Sequence, residues 1–169
     1  MQPISTSSAA APSLTTITLR AIAVGGLAVG LLDATDGVVY FALTAGIGPV
    51  SVLQYIASGA LGTGAFSMGL GSAALGALLH FALAYGFTAA FVLAWARFEG
   101  VRRWWIAAGL GWGAAVWAFM NLVVLPLSRV APAPVTALAA VHGIAGHAVF
   151  VGLAAAWAAR RAFAARDAR

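Results

Sequence analysis

Residues 21–44 read AIAVGGLAVGLLDATDGVVYFALT, and this stretch decides the class of the fold. It contains no arginine or lysine, and its only charges are Asp33 and Asp36. A helix of about 20 apolar residues covers the roughly 30 Å hydrocarbon layer of a bilayer, so this run is long enough to cross one. Arg20 stands immediately before it. Three later runs have the same length and character, at about 72–96, 104–127 and 138–159. The expected fold is all-α, an integral membrane four-helix bundle.

The composition agrees. Of 169 residues, 63% are hydrophobic and 8% charged, against the about 25% charge usual in soluble domains. The apolar content also excludes a disordered chain. There are no cysteines, which excludes a disulfide-built domain and a thiolate metal site. The length allows one domain, here 19–169. Before it, residues 1–18 (MQPISTSSAAAPSLTTIT) carry no charge and are rich in Ser, Thr, Ala and Pro, which predicts a flexible tail. With no basic segment ahead of an apolar core, they do not resemble a signal peptide.

All nine basic residues are arginines, and their positions predict sidedness. Arg20, Arg97, Arg102, Arg103, Arg160, Arg161, Arg166 and Arg169 fall on one side of a four-span arrangement, and Arg129 alone on the other. The positive-inside rule then puts both termini in the cytoplasm. Trp95, Trp104, Trp105 and Trp157 accompany the same arginines, as an interfacial aromatic belt does. Arginines that flank apolar runs address a lipid bilayer, not nucleic acid.

Residues 45–71 are uncharged and glycine-rich. Pro49 suits the first turn of a helix, with Val52, Leu53, Ile56, Ala60 and Leu61 on one face. Ser51, Gln54, Tyr55 and Ser58 would then point the other way. This predicts a short amphipathic helix on or dipping into the outer surface. A fifth span is disfavoured by its shortness and by Gly59, Gly62, Gly64 and Gly69.

Small residues recur at close spacing: Gly26 and Gly30, Ser72 and Gly76, Gly109 and Gly113, Gly143 and Gly146. Such spacing lets helix backbones approach, within one chain or across a dimer. Packing within the chain is the favoured reading. Pro126, Pro132 and Pro134 are expected to end the third span and keep its exit extended.

The residues that do not belong in hydrocarbon are Asp33, Asp36, His80, Asn121, His142 and His147. A carboxylate at mid-membrane costs about 2.5–3.5 kcal/mol on insertion scales, so it must face protein or water. At a rise of ~1.5 Å per residue, Asp33 lies ~20 Å and Asp36 ~24 Å from Arg20, and His80 ~25 Å from Arg97. By the same rise Asn121 lies ~25 Å from Trp104, His147 ~20 Å and His142 ~27 Å from Arg160. Each helix thus contributes to one polar layer, from mid-membrane to the outer half. His142 and His147 are about 140° apart around their helix and cannot both face one point. Matching depths predict an Asp33–His147 or an Asp36–His80 contact, with Asn121 as a nearby hydrogen-bonding partner.

Four roles compete for this layer. It can fix the packing of the helices as a hydrogen-bond network, or carry protons or small cations, as intramembrane Asp/His sets do. It can hold haem or a divalent metal, with His80, His147 and Asp33 as candidate ligands, although no HxxH or HExxH spacing supports this. Catalysis is the least supported, since Ser58 lies in no nucleophile elbow and Gly46 and Gly48 in no phosphate loop.

The stretches LLDATDGVVYFAL, QYIASGALGTGAF, LLHFALAYGFTAAFVLA, FMNLVVLPLS and HGIAGHAVFVGLAAAWAARR, spread over residues 27–161, resemble a group of small uncharacterised bacterial four-span membrane proteins. The second half is distantly similar to the YagU inner-membrane family, from the histidine of span two to the Gly-His of span four. The resemblance implies a bacterial cytoplasmic membrane location and points to Asp33, His80, Asn121, Pro126 and His147. Asp36 and His142 depart from it, and it implies no activity. The expectation is a non-enzymatic, cofactor-free proton or small-cation relay or permeation site, in a chain small enough to work as a homo-oligomer or within a larger complex. The alternative is an accessory or scaffold subunit with a structural polar network, and a haem- or metal-binding bundle is the second alternative.

Overall fold

Ser13 starts the first helix: its Oγ accepts a hydrogen bond from the Thr16 amide at 3.1 Å, satisfying an amide that has no partner within the helix. In this computed structural model residues 13–131 and 134–167 are described, the side chains of 165–167 excepted. The first twelve residues of the expected tail, Pro132, Arg169 and the Arg166 side chain lie outside the described residues. Helix α1 runs Leu14–Ala45, so residues 14–18 belong to it and not to the tail. The polarity that reads as a tail is here the cap and first turns of a helix. Gly46 ends α1 with φ +66°, a conformation that disfavours any side chain.

Helix α2 (Pro49–Leu61) begins with proline in its first turn, and a 3₁₀ stretch, Gly62–Ser67, leads to α3 (Gly69–Arg97). After a short helical turn, Glu99–Arg103, come α4 (Trp105–Leu127) and α5 (Ala137–Ala164). Thr136 caps α5 through the Ala139 amide. The chain is helical throughout, with no strand among the described residues. Four helices, α1, α3, α4 and α5, are long and apolar enough to cross a membrane.

The bundle is assembled around α1, which packs on both α3 and α5, while α4 packs on α5. Aromatic contacts close α3 onto α4, with Phe87 against Phe119 and Phe91 against Trp112. The apolar core includes Ile17, Val29, Phe91, Trp95, Val116 and Phe163. Ile17, Trp95 and Phe163 lie close in sequence to Arg20, Arg97 and Arg160, so the core gathers the arginine-bearing ends of these helices together. The opposite half is loosely packed: no residue of 31–45 or 117–127 is buried, and Gly146 is the one buried residue in 137–146.

The small residues work within the chain. The ring of Tyr85 lies where a Cβ on Gly26 would stand, and the ring of Phe81 does the same at Gly30. A Cβ on Gly109 would meet the Gly152 carbonyl at 3.0 Å, and one on Gly113 would meet Ala148 Cα at 2.6 Å. Contact of helix backbone on helix backbone is how apolar helices gain dispersion energy where burial from water supplies none.

Helix α2 lies against α3, with residues from both its apolar and its polar positions at the contact. Val52, Gln54, Ala57 and Ser58 are buried, whereas Ala60 and Leu61 are exposed. The reason is polar. Gln54 Nε2 donates to the Gly69 carbonyl at 3.0 Å, and Ser72 Oγ donates to the Ala65 carbonyl at 2.6 Å. These side chains satisfy carbonyls of the connection between α2 and α3, which outweighs burying Leu61. Backbone contact fixes the same seat, because a Cβ on Gly76 would collide with the carbonyl of Leu53.

Both α4 and α5 contain wide π turns, at Met120–Val124 and His147–Leu153. The first precedes Pro126, whose ring crowds the carbonyl four residues back and whose missing N–H leaves that turn short of a donor. Pro126 therefore sits inside the last turn, and the helix ends at Ser128, whose Oγ donates to the Leu125 carbonyl.

Candidate functional site

Asp33 and Asp36 are one turn apart on α1, in the loosely packed half, and face α3 and α5. They share one helix face, yet they take different partners. The Asp33 carboxylate lies between two imidazoles: Oδ2 is 4.0 Å from His80 Nδ1 on α3, and Oδ1 is 3.8 Å from His147 Nδ1 on α5. Asp36 Oδ2 is 3.1 Å from His142 Nε2, a direct hydrogen bond. The five side chains are only partly covered, from 12% exposure at His80 to 35% at His142.

Each imidazole has one nitrogen held by a fixed acceptor. His80 Nε2 donates to the Gly30 carbonyl at 2.8 Å. A carbonyl only accepts, so this bond puts a proton on Nε2 and turns Nδ1 toward Asp33. That reach to α1 depends on the close approach at Gly30. His147 Nδ1 donates to the Gly143 carbonyl at 2.9 Å, one turn earlier in its own helix, which leaves Nε2 as the accepting nitrogen of the neutral ring. His147 opens the π turns of α5, a widening often found where a helix carries a functional group.

Two further residues build the Asp36 half. Tyr40, one turn beyond Asp36 on α1, stacks on His142 with ring centroids 4.1 Å apart and planes 13° from parallel. Gly146 seats the carboxylate, since a Cβ there would stand 2.6 Å from Asp36 Oδ2. Sequence reasoning misses both. The i,i+4 spacing of Asp36 and Tyr40 was the available signal for the first. The pairing of Gly143 with Gly146 reads as helix packing, and it hides a seat for a carboxylate.

The structure thus brings Asp33 to His147, as depth matching expects, and departs from it elsewhere. The Asp36–His80 contact does not form: His80 goes to Asp33, and Asp36 to His142. Depth fixes a layer but not the rotation of each helix, and here rotation sends His80 one turn closer to Arg20 along α1. His142 and His147 serve different carboxylates, in line with their angular separation. Asn121 is not a partner of the acids; its Nδ2 donates to the Trp117 carbonyl at 2.9 Å within α4. Ser58 donates to the Tyr55 carbonyl and stays inside α2.

As a metal or haem site the arrangement is poor. Among the described residues no group of three His, Cys, Asp or Glu side chains is disposed to hold a metal ion. His80 and His147 approach the same carboxylate, and Asp33 occupies the gap that a porphyrin would need between them. What the cluster offers is a set of groups that can bind a proton: two carboxylates and three imidazoles, each imidazole within 4.0 Å of a carboxylate. No protein-family model matches the chain, and no curated protein or solved structure matches it.

Proposed function

We propose that the chain is a multi-pass membrane protein whose Asp33, His80 and His147 cluster, continued by Asp36 and His142, relays protons. Four helices of spanning length and the gathering of the arginine-bearing ends support insertion, with both termini on the cytoplasmic side. The observation that carries the relay is the seat of Asp33, with an imidazole from a different helix beside each carboxylate oxygen at 3.8 and 4.0 Å and a hydrogen bond to neither. At those distances neither contact is locked as a hydrogen bond, which suits a site that makes and breaks them better than a clamp that holds helices together.

The proton accounting is simple. Neutral His80 presents the Nδ1 lone pair to Asp33, so a proton arriving there makes an imidazolium beside a carboxylate. A proton taken up at His147 Nε2 makes an imidazolium, which can then pass its Nδ1 proton from the Gly143 carbonyl to Asp33 Oδ1, 3.8 Å away, and return to the neutral ring. Asp36 and His142 form a second pair one turn farther from the arginine-bearing end, toward the open half of the bundle.

The test is proton flux into proteoliposomes under an imposed potential, with a pH-sensitive dye inside. Wild-type protein should exceed empty vesicles, and Asp33→Asn should return flux to the empty-vesicle level while the protein stays folded and monodisperse. Flux unchanged by Asp33→Asn would sink the relay. Wild-type vesicles as tight as empty ones would leave the cluster a structural network, the role of an accessory subunit.

A further inference from the structure

At the arginine-bearing end, α1 and α5 enclose an open groove of about 270 Å³. Its floor is the buried Ala21 and Ala158, the exposed Val24 stands at its edge, and Arg20, Trp157 and Arg161 complete the lining. We infer that this groove binds one anionic phospholipid, its phosphate held between Arg20 and Arg161 and the first methylenes of its acyl chains lying over Val24 and Trp157. The inference rests on the membrane insertion proposed above and is independent of any proton relay.

Four features point to this occupant. First, two arginines from different helices border one almost wholly apolar groove, and among the described residues no carboxylate does, so the charge at its rim is complementary to an anion. Second, Arg161 is held over the Trp157 ring with its Cζ 5.4 Å from the centroid, which orients a flexible side chain before any ligand arrives. Third, the other described arginines of this end do not border the groove. Arg102 donates to the Trp95 carbonyl, Arg160 lies over Trp105, and Arg97 and Arg103 lie over Phe98 and Trp104. Fourth, the floor is apolar, which a free inorganic anion would not use but an acyl chain would. Basic pockets between spans on the cytoplasmic side are recognised seats for anionic headgroups.

The experiment uses the full chain in nanodiscs of phosphatidylcholine containing a minor share of phosphatidylglycerol, followed by native mass spectrometry of the released protein. Wild type should retain phosphatidylglycerol over phosphatidylcholine by about tenfold relative to the bulk ratio. Arg20→Gln with Arg161→Gln should abolish that preference, whereas Arg97→Gln with Arg103→Gln, the same loss of charge outside the groove, should keep it. Val24→Trp, at an exposed position, should block the groove and lower retention with every arginine in place. Equal retention of both lipids by wild type, or equal loss in the two double variants, would overturn the site. Inorganic phosphate that displaces the lipid at millimolar concentration would show that the apolar floor contributes nothing and would overturn it as well. Protein that fails to enter nanodiscs would refute the membrane reading itself, an outcome distinct from insertion without lipid preference.

Discussion

His142 Nε2 lies 3.1 Å from Asp36 Oδ2, a hydrogen bond between helices α5 and α1 joining residues 106 positions apart in the chain. It is the one direct His–carboxylate bond of the polar layer, and it contrasts with the looser seat of Asp33 a turn away. The difference follows from the supports. Asp36 is pressed toward His142 by Gly146 and by the Tyr40 stack, while His80 and His147 are each drawn off Asp33 by a backbone carbonyl.

This bond should be measurable as a coupling. In a double-mutant cycle of Asp36→Asn and His142→Ala, unfolding from mixed micelles should give an interaction of about 0.6–1.7 kcal/mol, the range seen for polar contacts between membrane helices. Gly146→Ala should act on the same pair by pushing the carboxylate from its seat, at an overpacking cost of about 1–3 kcal/mol. Combined with Asp36→Ala it should cost much less than alone. Additive behaviour of Gly146→Ala and Asp36→Ala would show that Gly146 serves packing and not the carboxylate.

The α4–α5 contact offers an internally controlled test of why glycine is used. A Cβ on Gly113 would meet Ala148 Cα at 2.6 Å, whereas one on Gly111, half a turn away, would meet nothing within 4 Å. Gly113→Ala should therefore destabilise by about 1–3 kcal/mol as the helices are forced apart. Gly111→Ala should be neutral or stabilising by up to about 1 kcal/mol, the helix-propensity gain of alanine. Thermal unfolding of both variants in one detergent decides it, and equal effects would refute the close-packing account.

Helix α2 is held by a polar knot in which Ser72 Oγ reaches the carbonyls of Ala65 and Gly69 and Gln54 Nε2 reaches Gly69. Ser72→Ala should remove the shorter bond to the Ala65 carbonyl, which keeps only the 3.3 Å bond from the Met68 amide, at about 0.5–1.5 kcal/mol. The effect should be local: amide exchange should accelerate in residues 52–68 and stay unchanged around Phe91 and Phe163 in the core. Acceleration spread evenly over the chain would mean that the knot supports the whole bundle.

The helices were legible because their signal is composition over a run of about twenty residues, which survives any error in helix rotation. Residues 21–44 alone are enough to propose a spanning helix, although Ser13 and the turn after it were read as tail. The layer of Asp33, Asp36, His80, His142 and His147 was legible through depth, since rise per residue is the same in every helix. Which acid meets which histidine was not, because that depends on axial rotation, and rotation is set by glycine contacts such as Gly30 with Phe81. Asn121 shows the limit: it has the right depth, yet it bonds to its own helix at Trp117. The way α2 packs on α3 was not legible for a related reason. Periodicity weighs apolar side chains and is blind to the backbone carbonyls that Gln54 and Ser72 satisfy.

Sidedness can be tested by labelling, because the chain has no native cysteine. Gly64, between α2 and α3, and Gly100, between α3 and α4, both face open space, so a side chain at either is tolerated. In the orientation proposed above, Gly100 lies on the cytoplasmic side with Arg97, Arg102 and Arg103, and Gly64 lies on the opposite side. In intact bacterial cells a membrane-impermeant maleimide should label Gly64→Cys and spare Gly100→Cys, and permeabilised cells should label both. The reverse pattern would invert the protein and turn the open half of the bundle, with Asp36 and His142, toward the cytoplasm. Labelling of both sites in intact cells would mean that α3 does not cross the bilayer, and the relay would lose its barrier.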